Sequence, residues 1–234
     1  MNRITFVVPV YNEVKTVREA INNVINLNYK DKEIIVIDNG SNDGSVDIIK
    51  QFYKFKYIKI ILKKSNSGYG SSIKQAINNS TGKYIYIYCA DLEYVINSSI
   101  VMKDYLEKNN LDFVLGNRIK KNMNFIELLI LLIKKPSYLA TISCTFLINF
   151  FYNKKFTDII GSRFYKTRAI KKIKVLSNDQ GYDFELVSKI CKLNLRIAEV
   201  FVKYTPRVNS SEKKIKFYHM FVALFQIFKV KLFH

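Results

Sequence analysis

The chain has 234 residues, of which 49% are hydrophobic, and a formal net charge of +19. This length and apolar content allow one sizeable core, or a core with a small appendage. Three widely spaced cysteines, Cys89, Cys144 and Cys191, exclude a disulfide framework and a zinc site of the C-x-x-C type, and they favour a reducing compartment. The N-terminal residues "MNRITFVVPVYNE" lack the long apolar stretch of a signal peptide, so secretion is not expected.

The first ninety residues alternate between strand-like and helix-like segments. Continuous runs of β-branched and aromatic residues, separated by segments with helical spacing, predict an α/β fold with a mostly parallel sheet covered on both faces. The predicted strands are residues 4–10, 33–38, 57–62 and 84–89, and the predicted helices are residues 14–27, 45–55 and 70–80.

Polar residues follow directly after each predicted strand. The segments are "PVYNE", "DNGSNDGS", "NSGYGSS" and "ADLEY". Because the carboxyl ends of parallel strands meet at one edge of a sheet, we expect a ligand site there. The turn after the first strand, "VPVYNEV", contains no glycine, which argues against a dinucleotide site for NAD or FAD.

Basic residues are concentrated in the second half of the chain. Between Arg118 and Lys174 there are thirteen Lys or Arg residues and only two acids, Glu127 and Asp158, around the apolar run "FIELLILLI". Basic residues that flank apolar helices favour an anionic membrane surface over a nucleic acid. The alternative is a lysine-rich composition whose charges are simply solvated.

The apolar segments of this half are too short to cross a bilayer. Residues 125–133 and 138–152 are interrupted by "KKPS" and by hydroxyl side chains, and no run reaches about eighteen apolar residues. Residues 217–233 are apolar and aromatic with basic ends, which predicts a helix in the membrane interface. An amphipathic helix packed on the core or on a second subunit is the alternative.

The ordered motifs "VVPVYNE", "VIDNGSNDGS", "NSGYGSSIKQAINNSTGKYI" and "ADLE" resemble those of family-two glycosyltransferases with the GT-A fold. The later segments "GNR", "DIIGSRFYKTRAI", "GYDFELVSKI" and "EVFVKYTPRVNSSEKK" are similar to those of dolichol- and polyprenyl-phosphate sugar transferases. The resemblance covers most of the chain, and it depends on several motifs in order rather than on one.

The resemblance implies a Rossmann-like GT-A domain over residues 1–212, with a donor half (1–117) and an acceptor half (118–212). A basic and apolar C-terminal helix would follow over residues 213–234. The implied reaction is inverting transfer of a sugar from a GDP- or UDP-sugar to a polyprenyl or dolichyl phosphate. The expected location is the cytoplasmic face of a membrane, with no nucleic acid as partner. A homo-oligomer or a membrane-protein partner is left open.

Two carboxylates after the fourth predicted strand form the candidate metal site. The resemblance implies Mg²⁺ or Mn²⁺ held by Asp91 and Glu93, although Cys89 stands where the family often has an acid. Such hard cations take oxygen ligands from one or two carboxylates and from substrate phosphates. Side chains two apart in an extended segment point the same way, so both could reach one ion. Alternatively, Asp91 caps a turn and Glu93 is solvated.

The resemblance also assigns a donor site. Asp38 is expected to accept a hydrogen bond from the nucleotide base, and the ring of Tyr11 to line the base or ribose. Alternatives are a helix cap at Asn12 and a turn former at Asp38, beside Gly40. The full set of predicted donor residues is Pro9, Tyr11, Asn12, Glu13, Asp38, Gly68 and Asp91.

Two acceptor mechanisms remain open. A lipid phosphate is already anionic and needs positioning only, for which Arg118, Arg163 and Arg207 match cationic positions of the polyprenyl-phosphate enzymes. A sugar hydroxyl must instead lose a proton during attack. The candidate base for that reaction is Asp183, with Glu185 as its neighbour.

Overall fold

The computed structural model describes residues 2–119, 137–207 and 219–233. These residues form a seven-stranded sheet in the order β3-β2-β1-β4-β6-β5-β7. All neighbouring strands are parallel except β6, which is antiparallel to both β4 and β5, so the prediction of a mostly parallel sheet is confirmed. The strands are β1 (Ile4–Val10), β2 (Lys32–Asp38), β3 (Ile58–Leu62), β4 (Tyr84–Ile87), β5 (Phe113–Asn117), β6 (Ser162–Lys166) and β7 (Ile197–Phe201).

Helices cover both faces of this sheet. They are α1 (Val17–Asn26), α2 (Ser45–Lys50, extended by a 3₁₀ helix, Gln51–Lys54), α3 (Tyr69–Asn79), α4 (Ser98–Lys108), α5 (Ser137–Tyr152), α6 (Thr167–Ile170), α7 (Tyr182–Lys192) and α8 (His219–Phe233). Helix α1 begins three residues later than predicted, because the N–H groups of Thr16 and Val17 both donate to the Glu13 carbonyl and form a turn. Asn12 therefore does not cap α1.

The alternation of side chains along each strand divides the core in two. Phe6, Tyr84 and Tyr86 pack on one face of the sheet with α1, α2 and α4. Val7 and Ile85 pack on the other face with α3 and α7. Both faces of the central strands are buried, which is why these strands are apolar throughout. Each such side chain contributes about 1.5–3 kcal/mol of apolar burial.

A third apolar cluster lies beside β5 and joins α5, α7 and α8. Helix α8 contributes Ala223 and Ile227 to it. The part of the chain that the structure describes has no helix both long and apolar enough to cross a membrane. The apolar stretch at residues 125–133 and the domain boundary predicted after residue 212 lie outside the described residues.

The strand directions place the candidate residues on one edge of the sheet. Strands β1 to β5 and β7 all end at this edge, here called the carboxyl edge, and β6 begins there. Arg163, the second residue of β6, is therefore paired with Ile87 at the end of β4. The antiparallel strand β6 thus places the Arg163 side chain, from the second half of the chain, near the loops of the first half.

Candidate active site

The loops after β1 and β2 are fastened to each other at the carboxyl edge. The N–H of Asn12 donates to Ser41 Oγ and the N–H of Glu13 donates to Ser45 Oγ, each over 2.9 Å. In return, the N–H of Asn42 donates to Asn12 Oδ1 over 2.9 Å. Asn12 has a left-handed backbone (φ +51°), which Asn tolerates better than most residues. The predicted donor turn is thus tied to the loop after β2 by three hydrogen bonds.

Asp38 lies at the end of β2 and is fully buried. Its carboxylate accepts hydrogen bonds from the N–H groups of Gly40 (2.9 Å) and Ser41 (3.0 Å) and from the Ser41 hydroxyl. These are the contacts of a turn former, the alternative considered for this residue. Contact between Asp38 and a nucleotide base stays a prediction.

Two further predicted donor residues lie at the end of β1. Pro9 is inside the strand, and its carbonyl accepts a long hydrogen bond (3.4 Å) from the N–H of Ala90 in the loop after β4. Tyr11 follows the strand and is half-buried at the carboxyl edge. The first and fourth loops are therefore neighbours, as the parallel pairing of β1 and β4 requires.

Gly68 has a positive φ (+92°), and a Cβ at this position would lie 2.1 Å from the carbonyl oxygen of Asn178. The same carbonyl accepts a hydrogen bond from the N–H of Ser71, and the N–H of Gly70 donates to Asp179. Glycine is thus required here because the segment before α7 packs directly against the start of α3. The close approach at Gly68 is made by protein backbone, and its predicted donor contact remains untested.

The chain leaves β4 at Ile87 and turns before it reaches Asp91. Leu92 has a left-handed backbone (φ +59°), and the N–H of Glu93 donates to Asp91 Oδ1 over 3.2 Å. The expectation of an extended segment over residues 91–93 is therefore wrong. A turn replaces it, because Asp91 bonds to the backbone two residues further on. Burial, and then the charge of Glu93, raise the pKa of Asp91 to about 6.

Glu93 fastens residues 202–207, here called the strap, over the carboxyl edge. Its carboxylate accepts hydrogen bonds from the Tyr204 hydroxyl (3.1 Å) and from the N–H of Arg207 (3.2 Å). Its carbonyl accepts another from the N–H of Thr205 (2.8 Å). Glu93 is thus half-buried, and its carboxylate could not turn toward an ion without loosening the strap.

The carboxylates near Asp91 suit a divalent cation that also binds substrate phosphates. No group of three or more His, Cys, Asp or Glu side chains within residues 2–119, 137–207 and 219–233 forms a complete metal cage. The negative charges of Glu93 and Glu13 nevertheless act on Asp91 and disfavour its ionised form. A bound cation would offset this repulsion. One or two carboxylates, with phosphate and water as the other ligands, are typical of Mg²⁺ sites. The role of Asp91 as a metal ligand stays a prediction.

Each of the three predicted phosphate-binding arginines faces a carboxylate. The pairs are Arg118 Nε with Asp158 Oδ2 (2.7 Å), Arg163 Nε with Asp183 Oδ1 (2.8 Å) and Arg207 Nη2 with Glu13 Oε2 (2.7 Å). An acceptor phosphate would have to compete with a carboxylate for each guanidinium group. The phosphate clasp therefore stays a prediction, and the structure contains no open cluster of these three cations.

Arg118 is the most firmly held of the three. Two of its guanidinium nitrogens donate to the fully buried carboxylate of Asp158, over 2.7 and 3.0 Å. The rings of Tyr138 and Tyr204 each lie 5.3 Å from the guanidinium carbon. No local sequence pattern predicts a role for Asp158 or Tyr204, although they lie within the segments "DIIGSRFYKTRAI" and "EVFVKYTPRVNSSEKK".

Asp183 and Arg163 form a buried pair with incomplete hydrogen bonding. Asp183 lies in the first turn of α7, and Oδ1 of its carboxylate is 2.8 Å from Arg163 Nε. The Nε–H of Arg163 does not point at Asp183 Oδ1, so the two atoms are close but do not form a hydrogen bond. Three buried atoms therefore have no hydrogen-bond partner: Asp183 Oδ1, Arg163 Nε and Arg163 Nη2. Burial raises the pKa of Asp183, against the opposing charge of Arg163. Asp183 is consequently a stronger base than an exposed aspartate.

Cys89 is half-buried, and its thiol is affected by the charges of both Asp91 and Asp183. Burial, and then the charge of Asp91, raise the pKa of its thiol, and Asp183 and Arg163 also act on it. The pKa of Tyr69 is raised first by burial and then by Asp183. The charges of Asp91 and Asp183 thus both act on Cys89, which follows β4. Two carboxylates in different surroundings can serve different roles.

Glu185, the other acid of α7, has a structural role. It is buried and accepts hydrogen bonds from the N–H groups of Leu176 and Ser177, from the Ser177 hydroxyl and from Lys189 Nζ, over 2.6–2.9 Å. Although burial acts in the opposite direction, these donors lower the pKa of Glu185 from 4.5 to about 2. Glu185 thus fastens α7 to the segment that packs on Gly68.

We expect Glu185→Ala to lower the free energy of unfolding by about 3 kcal/mol at pH 7. Since the folded-state pKa is depressed, this contribution is complete above pH 4.5 and is lost as the pH falls toward 2. Urea denaturation followed by circular dichroism at pH 7 and at pH 3 measures the effect. The exposed Asp47→Ala is the control, with an expected change below about 0.5 kcal/mol. An equal loss in both variants would contradict the assigned role.

The comparisons with known proteins agree with this fold. A family model described as Glycosyl transferase family 2 matches residues 5–174. A curated relative, the poly-β-1,6-N-acetyl-D-glucosamine synthase of Staphylococcus epidermidis, is 31% identical over 126 residues. That match covers 53% of this chain and 30% of the relative, so the chain spans about a third of the length of the curated protein.

Solved structures share the fold at low sequence identity. Glucosyl-3-phosphoglycerate synthase from Mycobacterium tuberculosis, in complex with Mn²⁺, UDP and glucosyl-3-phosphoglycerate, has a TM-score of 0.71 and 13% identity, covering 98% of this chain and 78% of that one. The mannosyltransferase PcManGT from Pyrobaculum calidifontis, in complex with GDP-mannose and Mn²⁺, has a TM-score of 0.62 and 16% identity, covering 88% and 58%.

Proposed function

This chain belongs to glycosyl transferase family 2, and we propose that it transfers a sugar from a nucleotide-diphosphate donor to a hydroxyl group of a glycan acceptor. The observation that carries the proposal is the buried Asp183 carboxylate, held beside Arg163 at the carboxyl edge with a raised pKa. A hydroxyl acceptor needs such a base, whereas an anionic phosphate acceptor does not. The polysaccharide named for the Staphylococcus epidermidis relative supports the same acceptor class.

The donor would bind over the joined loops after β1 and β2, which form the proposed donor half of the molecule (residues 1–117). Mn²⁺ and the nucleotides UDP and GDP-mannose in the neighbouring structures support a nucleotide sugar with a divalent cation. Asp91 would hold the cation, with Glu93 contributing only if the strap allows. When bound, the cation supplies positive charge that stabilises the departing diphosphate. Whether it is Mg²⁺ or Mn²⁺ is part of the test.

Transfer would proceed by direct displacement at the anomeric carbon, with inversion. Asp183 accepts the proton of the attacking hydroxyl while the new C–O bond forms and the bond to the diphosphate breaks. Arg163 keeps the Asp183 carboxylate in place and stabilises its ionised form. A base with a pKa shifted toward neutrality is more effective at this step than an ordinary aspartate.

The proposed reaction is tested by a panel of UDP- and GDP-sugars, Mg²⁺ or Mn²⁺, and two acceptors: a short oligosaccharide and a short polyprenyl phosphate. Mass spectrometry identifies the products. We expect one sugar residue to be added to the oligosaccharide in the presence of a cation. Transfer to the lipid phosphate alone would reject the hydroxyl acceptor.

Transfer to a polyprenyl or dolichyl phosphate at the cytoplasmic face of a membrane is the second candidate. The favouring observation is the apolar surface of α5 and α8, where Phe146, Phe150 and Phe225 are exposed to solvent. In this reaction Arg118, Arg163 and Arg207 would exchange their carboxylates for the acceptor phosphate. An Asp183→Asn variant that still transfers sugar to the soluble lipid phosphate would favour this candidate.

We expect Asp38→Ala to raise the donor KM more than it lowers kcat, because the nucleotide base is remote from the reacting bond. Loss of a charged hydrogen bond costs about 1.5–3 kcal/mol, or roughly ten- to a hundredfold in KM. Steady-state kinetics measures both constants. Asp43→Ala is the matched control, since Asp43 holds the same two loops through Val14 and Ser45. Equal effects of the two changes would mean that Asp38 only shapes the turn.

A further inference from the structure

Helix α8 presents apolar side chains on two opposite sides. Ala223, Ile227 and Val230 are buried against the core. The side that faces solvent is also apolar, with Phe225 62% and Leu232 68% exposed. A helix that is apolar all round is normally covered on every side. The exposed residues recur at helical spacing: Phe221, Phe225, Phe228 and Leu232.

Helix α5 lies beside α8 and has the same property. Phe151 of α5 packs edge-on against Phe228 of α8, with ring centroids 5.3 Å apart. Phe146 and Phe150 stack on each other and are 66% and 73% exposed. The exposed apolar side chains of these two neighbouring helices are here together called the aromatic face: Leu139, Phe146, Phe150, Phe225, Phe228 and Leu232.

Lysines border the aromatic face where the two helices end. Lys231 Nζ donates to the Phe151 carbonyl over 3.0 Å, and Lys192 Nζ donates to the Val230 carbonyl over 3.0 Å, so the ends of α5, α7 and α8 meet there. Neither α5 nor α8 contains an Asp or a Glu. In the described part of the chain no ion pair involves these lysines: Lys154, Lys155, Lys192, Lys229 and Lys231.

We propose that the aromatic face docks onto an anionic lipid bilayer. Phenylalanine rings can enter the boundary between headgroups and acyl chains, while lysines extend toward lipid phosphates. The absence of acids on both helices matches a negatively charged surface. A second copy docked on this face would bury the same lysines without acidic partners on these helices. The docking surface is independent of the acceptor chemistry proposed above.

Co-sedimentation with vesicles tests this inference on the full chain. We expect the wild type to bind vesicles of phosphatidylcholine mixed with phosphatidylglycerol, and to bind pure phosphatidylcholine far less. Phe150→Ser combined with Phe225→Ser should lower the partition coefficient at least about tenfold, since two exposed rings no longer insert. Lys155→Gln combined with Lys229→Gln should lower it about threefold or more, on the anionic vesicles only.

Matched controls lie at the opposite end of the sheet, beside β3. Tyr53→Ser with Tyr57→Ser removes two aromatic rings of similar exposure (57% and 51%), and Lys54→Gln with Lys56→Gln removes two exposed lysines. Both control pairs should bind as the wild type does, and circular dichroism should show native folding in all variants. Equal losses in test and control pairs would overturn the proposal. So would absent vesicle binding, or a wild-type dimer that the phenylalanine changes dissociate.

Discussion

Replacing Asp183 by Asn is expected to lower kcat for transfer to a sugar hydroxyl by roughly 10²- to 10⁴-fold, the contribution of a general base. The carboxamide keeps the size of the side chain but cannot accept the proton of the acceptor. Because burial raises the pKa of Asp183, the wild-type kcat should fall as the pH falls through that pKa. This acid limb should disappear in the variant. Initial rates from pH 5 to pH 9 measure both effects.

The control for this variant must separate proton transfer from the loss of a buried ion pair. Asp158→Asn is suitable, since Asp158 is also buried and also faces an arginine, Arg118. We expect it to lower stability while the acid limb of kcat persists. Donor binding, measured by calorimetry, should survive in Asp183→Asn. If both variants lose activity equally and keep the same pH profile, Asp183 is not the base.

Replacing Asp91 by Asn is expected to lower kcat by about a thousandfold, equivalent to about 4 kcal/mol of transition-state stabilisation. The amide is a weaker ligand for a hard cation, so the departing diphosphate loses neutralising charge. Folding should persist, since the hydrogen bond that the Glu93 N–H donates to Asp91 comes from the adjacent turn and an amide oxygen can accept it. Initial rates against Mn²⁺ and Mg²⁺ concentration, with electron paramagnetic resonance of Mn²⁺, measure the change.

Glu93→Gln is the informative companion to Asp91→Asn. Glu93 accepts hydrogen bonds from Tyr204 and Arg207, so the amide of Glu93→Gln should loosen the strap. The affinity for the cation should change less than in Asp91→Asn. Excess chelator should abolish the wild-type reaction. Full turnover by Asp91→Asn, or by the wild type without cation, would remove the metal role of Asp91.

Local sequence patterns were sufficient for the first half of the fold. The strands from β1 to β4 are apolar because both faces of the sheet are covered, so their positions were predicted within two residues. The polar loops that follow them had to share one edge, since parallel strands end together. The motifs around Asp38 and Asp91 therefore predict a ligand site at this edge.

The contacts within that site could not be predicted, because their partners are distant in sequence. Arg207 meets Glu13 across 194 positions, and Arg118 meets Asp158 across 40. The antiparallel insertion of β6 places Arg163 beside β4, a topology that the alternation of strands and helices does not encode. No local sequence pattern distinguishes an arginine that is available to bind a phosphate from one that is paired with a carboxylate.

Sequence alone thus determined the fold family, the edge of the sheet where the polar loops gather and the residue types available there. Only the tertiary structure decided their states: a turn instead of an extended segment at Asp91, a strap fastened by Glu93, and Asp183 buried beside Arg163. It also decided which side of α8 is covered, because an all-apolar helix has no preferred buried side until its neighbours are placed. Long-range packing decides which side chains are buried, and burial shifts the pKa of titratable groups such as the Asp183 carboxylate.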